Sequence, residues 1–190
     1  MQGEISVLNA IQEHCRFDAL DHIMVYITKL GDLGAIWILL TVVLLIVPKT
    51  RSVGLCMFLA LLLDSLLLNL ALKPLIARPR PFSVNETVSL LIAKPSDFSF
   101  PSGHSGASFA AAFAILFSKA RKALWIPALC LAVLIAFSRL YLYVHYPSDV
   151  LAGAIIGVLS AFIAIKLILY AKKRRLAAVK MTKNTKNETN

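Results

Sequence analysis

The chain has 190 residues, 58% of them hydrophobic and 16% charged, with a net charge of +10 at pH 7. Its mean hydropathy is +0.76, whereas soluble domains carry about 45–50% apolar and about 25% charged residues. The apolar residues come in blocks, which excludes a disordered polar chain and, despite the basic balance, a nucleic-acid-binding domain.

In chain order, residues 1–19 form an amphipathic segment, with Ile5, Leu8 and Ile11 on one face of a helix expected to lie on the membrane surface. Glu4, Glu13, Arg16 and Asp18 interrupt it, and it lacks the core and cleavage site of a secretory signal, so the N-terminus is expected to persist. Residues 20–170 read as a membrane domain. Its apolar blocks are Leu33–Val47, extendable backward through Gly34 and Gly31 over Leu20–Leu30, then Val53–Leu72, Ser105–Ser118, Ala123–Ser138 and Val150–Tyr170. The predicted fold is therefore an all-α integral-membrane bundle of five transmembrane helices. A sixth, over residues 5–27, is too polar to favour. Residues 171–190 read as a basic tail, expected to be disordered and cytoplasmic. Cys15, Cys56 and Cys130 make no framework, no paired metal-ligand spacing occurs, and no metal or other cofactor is expected.

Orientation follows from the basic residues. With the Lys49/Arg51 loop, the Lys119–Lys122 loop and the tail placed inside, 13 of the 20 Lys and Arg, Lys166 included, fall on the cytoplasmic side. Segments 73–104 and 139–149 then lie on the outer side, where three clusters concentrate. They are Lys73-Pro-Leu-Ile-Ala-Arg78-Pro-Arg80-Pro81, Pro101-Ser102-Gly103-His104, and Ser138-Arg139 followed by His145 and Asp149. Lys73, Arg78, Arg80 and Arg139 gather four cations suited to a phosphate or diphosphate. Ser102-Gly103, ahead of a helix start, adds free backbone N–H groups. Asp149, four residues after His145, can fix that ring's tautomer and leave the other nitrogen nucleophilic. His104, at the head of the third span, can protonate a leaving oxygen.

The patterns K-x6-R-P, P-S-G-H and S-R-x5-H-x3-D, complete and in order, resemble the type 2 phosphatidic acid phosphatase superfamily over roughly Asp18–Tyr170. The resemblance implies a metal-independent lipid phosphatase. In it His145 forms a phosphohistidine assisted by Asp149, and His104 protonates the leaving group and then activates water. Lys73, Arg80, Ser102, Gly103 and Arg139 hold the phosphoryl oxygens, with Arg78 in support. The expected partner is a membrane lipid carrying a phosphate or diphosphate: undecaprenyl diphosphate first, then phosphatidylglycerol phosphate or phosphatidic acid. The site is expected to face outward from a bacterial cytoplasmic membrane. The alternative is a non-catalytic protein that binds or flips phospholipid headgroups with the same cradle. Neither the lipid nor the oligomeric state is readable. Asp64, inside the second span, is expected to hydrogen-bond across to another span, and Asn69 to help position Lys73. The small residues of the third span fit either close helix packing or a lateral groove for a lipid tail.

Overall fold

The computed structural model describes residues 2–188, with side chains described through Ala177. Helix is the only regular structure among the described residues. The first, α1 (Gln2–Cys15), stops at Arg16 and Phe17. Phe17 is extended, and Arg16 reaches back to Gln12 (3.0 Å) and forward to Asp21 (3.1 Å). No sixth span forms over residues 5–27, because the chain breaks there and restarts. Leu8 of α1 is buried with Tyr143 and Tyr146, and Gln12 donates to Tyr141 O (2.7 Å).

The first crossing consists of α2 (Asp18–Gly31) and α3 (Ala35–Ile46). The predicted extension through Gly31 and Gly34 is present as two rods, because Leu33 (φ 53°) and Gly34 (φ 70°) are left-handed and no α-helix passes through such a pair. The second crossing begins as α4 (Arg51–Ser65), widens into a π-helical stretch at Leu66–Leu72 and ends as α5 (Lys73–Ile76). Pro74 has no N–H for the carbonyl four residues back and would crowd it. The wide turn absorbs this: the Lys73 N–H bonds Leu68 O, five residues back.

After the short α6 (Pro81–Val84) and a loop come α7 (Gly103–Phe117), α8 (Lys122–Tyr141) and α9 (Pro147–Glu188). Among the described residues, four stretches are long and apolar enough to cross a membrane, and α7 is a shorter apolar fifth. With 15 residues it spans about 22 Å, less than a hydrocarbon core of about 30 Å. The tail expected to be disordered instead continues α9 as helix to Glu188; its side chains from residue 178 onward lie outside those described.

The α7 helix occupies the centre, with Ala110, Ala111, Ala112 and Ala114 buried. It meets α9 backbone to backbone. A Cβ on Gly157 would overlap Gly106 O and stand 2.8 Å from Ala110 N, and one on Gly153 would overlap Ser102 O. This is the small-xxx-small packing of membrane helices. On the other side of α7, Asp64 presses against Gly106. The expected bond to another span is not made: Asp64 Oδ1 is buried without a hydrogen-bond partner among the described residues. Nor does Asn69 bond Lys73; its amide donates to Ser65 Oγ (3.2 Å).

Candidate active site

The three sequence clusters meet at one end of the bundle. A cavity of about 490 Å³ there is lined by Lys73, Arg80, Gly103, His104, Arg139 and His145, together with Asp32 and Asp97. Local sequence explains the placement. Ala77 (φ 47°) caps α5 in the left-handed region, and Pro79 and Pro81 hold the next residues extended, with Arg80 at φ −80°, ψ 156°. Ser102 caps α7 through its hydroxyl, which accepts from Ser105 N (3.4 Å). Pro147 opens α9, as suits a first helical turn, and sets Asp149 beneath His145.

His145 is buried, between Arg80 on one side and Asp149 on the other. Arg80 Nη1 lies 3.1 Å from His145 Nε2. A guanidinium can only donate, so Nε2 carries the lone pair and the ring proton sits on Nδ1. Nδ1 lies 3.6 Å from Asp149 Oδ2, outside hydrogen-bond range, and has no other partner among the described residues. Burial, reinforced by Arg80 and Arg139 and opposed by Asp149, pushes the His145 imidazole down to about 3. The ring is therefore neutral near pH 7, with its Nε2 lone pair accepting from Arg80.

Asp149 is fully buried and held from several directions. Its Oδ2 accepts from Ser99 Oγ (2.5 Å) and Tyr146 N (2.9 Å), and its Oδ1 pairs with Arg78 (2.5 Å). Arg78 is thus on the far side of the histidine–aspartate pair from Arg80. It does not line the cavity, in contrast to the sequence expectation of a supporting phosphate contact. Its second Nη pairs with Glu4 of α1 (2.6 Å), and its guanidinium lies 3.9 Å from the centre of the Tyr146 ring. Glu4 also accepts from Ser148 N (3.1 Å) and Ser148 Oγ (2.5 Å). Ser102 likewise stays out of the cavity: its hydroxyl serves Ser105, and its N–H donates to Asp149 O (3.0 Å), tying the head of α7 to α9.

The remaining cations converge on an acidic residue that the sequence reading passed over. Asp97 pairs with Lys73 and with Arg80 Nη2 (2.6 Å). Burial works to raise its carboxyl, but Lys73 and Arg80 outweigh that and hold it down to about 2. Arg139 is buried, donates to Thr28 Oγ1, and keeps Nε without a partner among the described residues. A buried donor of this kind is costly unless something accepts from it. An anion in the cavity would meet Lys73, Arg80 and Arg139 while lying against His145 Nε2. Asp97 is a single carboxylate in the long loop, three residues after Lys94. Asp32 likewise stands alone, between Gly31 and Gly34 in an otherwise apolar stretch. Among the described residues no group of three or more His, Cys, Asp or Glu stands close enough to hold a metal ion.

A second cavity, of about 730 Å³, adjoins the first at Lys73, Gly103 and His104 and runs past Asn69, Ser65 and Asp64 to Leu61, Ile38 and Ala107. It opens between α3 and α4, along the flank of α7. Close packing and a lateral groove are therefore both present, on different faces of the same helix.

A bundle of membrane helices with a cation-lined cavity at one end and a neutral imidazole in its wall defines a class: integral-membrane proteins built to act on a phosphoryl group. Residues 52–173 match the PAP2 superfamily, and the chain belongs to that family. It is 34% identical over 148 residues to an undecaprenyl-diphosphatase of Sulfolobus acidocaldarius, covering 78% of this chain and 70% of that one. It is 34% identical over 145 residues to the undecaprenyl-diphosphatase BcrC of Bacillus subtilis, covering 76% and 72%. The fold resembles the crystal structure of a transmembrane PAP2-type phosphatidylglycerolphosphate phosphatase from Bacillus subtilis, with a TM-score of 0.71 and 31% identity over 89% of this chain and 86% of that one. The protein is a membrane phosphatase of this superfamily.

Proposed function

We infer that the chain hydrolyses the terminal phosphate of a lipid diphosphate, undecaprenyl diphosphate first among candidates, through a phosphohistidine on His145. The observation that carries this is the lone pair of His145 Nε2, facing a cavity ringed by Lys73, Arg80 and Arg139. The lone pair attacks phosphorus, and the P–O bond to the leaving group breaks with its electron pair on that oxygen. His104 supplies the proton. Water then attacks the phosphohistidine, giving its proton to His104, and the N–P electrons return to the ring. Lys73, Arg80, Arg139 and the Gly103 N–H stabilise the charge gathering on the phosphoryl oxygens. The Arg80 N–H that engages Nε2 turns to one of those oxygens, and Asp149 takes up the proton-bearing Nδ1 as the ring gains charge.

The groove between α3 and α4 gives a lipid chain a route from the phosphate into the hydrocarbon region. The Lys49/Arg51 loop, the Lys119–Lys122 loop and the C-terminal end of α9 all lie at the end of the bundle away from the cavity, which supports a site on the extracytoplasmic face of a bacterial cytoplasmic membrane. Undecaprenyl diphosphate is favoured because the two relatives described above are named for it.

The test is phosphate release by the purified full chain in detergent, with EDTA present. It compares undecaprenyl diphosphate, phosphatidylglycerol phosphate and phosphatidic acid. Undecaprenyl diphosphate is expected to react fastest, at a rate unchanged by the chelator. A faster phosphatidylglycerol phosphate would overturn the substrate assignment, and loss of activity in EDTA would overturn the metal-independent mechanism. Binding without release from any of the three would favour the headgroup-binding alternative.

A second expectation separates the two arginines of the first motif. Arg78→Ala removes a partner of Asp149 without opening the phosphate cradle, so kcat is expected to fall by roughly 10- to 100-fold with KM within about twofold. Arg80→Ala strips the cradle itself, so KM should rise as kcat falls. Steady-state kinetics on one substrate distinguish the two patterns.

A further inference from the structure

Asp32 stands at a turn that packing does not explain. Leu33 and Gly34 are both left-handed, and Leu33 is 96% exposed, so its side chain gains no burial in return for an unfavourable backbone at a residue with a Cβ. What it does is aim the Asp32 carboxylate at His104: Oδ1 lies 3.0 Å from Nε2. The residue just before completes the seat. A Cβ on Gly31 would stand 2.7 Å from His104 Cδ2, so the imidazole packs against the end of α2 in space that only glycine leaves.

We propose that Asp32 is the positioning residue of His104, forming a second aspartate–histidine pair at the cavity in addition to Asp149 and His145. The Gly31-Asp32 corner holds the ring, and the carboxylate accepts a hydrogen bond from Nε2–H. Nδ1 is then the nitrogen that delivers a proton to the leaving oxygen as the P–O bond breaks, and that accepts one from water in the second half-reaction. The negative charge of Asp32 stabilises the imidazolium against the neighbouring Lys73 and Arg139. This rests on the reading of His104 as the acid, and the experiment separates the two.

The full chain in detergent is assayed on two phosphate monoesters sharing a dodecyl chain. Dodecyl phosphate leaves as an alkoxide and needs a proton, whereas a dodecyl-substituted nitrophenyl phosphate leaves as a stable phenolate. The quantity read is kcat/KM, which reports the steps up to the phosphohistidine and not its hydrolysis. His104→Ala is expected to lose about 100-fold or more on dodecyl phosphate and less than about tenfold on the nitrophenyl ester. Asp32→Asn, nearly isosteric, should lose about tenfold on the first and less than about threefold on the second, with Asp32→Glu recovering most of the difference. Equal losses on the two esters in Asp32→Asn would make Asp32 merely structural and overturn the proposal, as would no loss on either. A split in His104→Ala but none in Asp32→Asn overturns the role of Asp32 alone. No split in His104→Ala overturns the acid reading and the proposal with it.

Discussion

Alanine at position 145 is expected to reduce phosphate release by roughly four orders of magnitude or more, the scale seen when the nucleophile of a covalent mechanism is removed. The remaining cradle of Lys73, Arg80 and Arg139 can still bind the phosphoryl group, so substrate or vanadate binding should survive the loss of turnover. The fold should survive too. His145 sits in a five-residue loop whose backbone is fixed independently by Val144 N to Arg139 O (3.2 Å), Asp149 N to Tyr146 O (3.0 Å) and the Arg80 contact to Val144 O (2.7 Å). Thermal unfolding should therefore shift by less than about 4 °C, corresponding to about 1 kcal/mol. The chemical signature is sharper than the rate. Wild-type protein quenched during turnover of a phosphate-labelled substrate should carry an acid-labile, alkali-stable label, and His145→Ala should carry none. Hydrolysis at near-native rates in that variant would end the phosphohistidine mechanism, whatever the substrate.

That prediction draws on residues whose spacing was informative in the sequence. His145 and Asp149 are one helical turn apart across a proline, and Ser102-Gly103-His104 sits where an apolar block begins, so local geometry alone brings these groups to helix ends on one membrane face. The spans were legible for the same reason, since each apolar block lies between prolines or basic residues. Arg78 was not legible. It is two residues from Arg80 in an extended stretch, which gives no indication that the two guanidiniums flank His145–Asp149 from opposite sides. Its partners Glu4, Ser148 and Asp149 lie 70 or more positions away, and only the packing of α1 over the α8–α9 loop brings them together. Asp32 and Asp97 escaped for a related reason. Each is a single carboxylate in a turn or loop, where an exposed acid is the ordinary expectation, and only the three-dimensional arrangement puts His104 or the Lys73–Arg80 pair within reach. The break at Leu33 was equally hidden, because leucine is a good helix former and nothing local requires it to be left-handed.

Gly157→Ala is expected to damage fold and activity together, although the change adds one methyl group far from the phosphate. The new carbon would meet Gly106 O and Ala110 N of α7, which are backbone atoms that no rotamer change can move aside. Relief requires α9 to back away from α7 along its length. Overpacking of this kind costs typically 1–3 kcal/mol, and the upper end applies where the obstacle is main chain, so the unfolding midpoint should drop by roughly 6–12 °C. Catalysis is coupled to the same interface: α7 carries His104, α9 carries Asp149, and the Ser102 N–H to Asp149 O bond joins them. A shift of about 1 Å between the acid and the carboxylate that orients the nucleophile is enough to cost about 100-fold. Leu159, two residues along and half exposed on the lipid-facing side, supplies the control. Leu159→Ala removes more volume yet should leave both midpoint and rate close to native. If Gly157→Ala instead unfolded within about 2 °C of native and kept full activity, the α7–α9 contact would be looser than the backbone distances require, and the relative placement of His104 and Asp149 would have to be set by the α8–α9 loop rather than by helix packing.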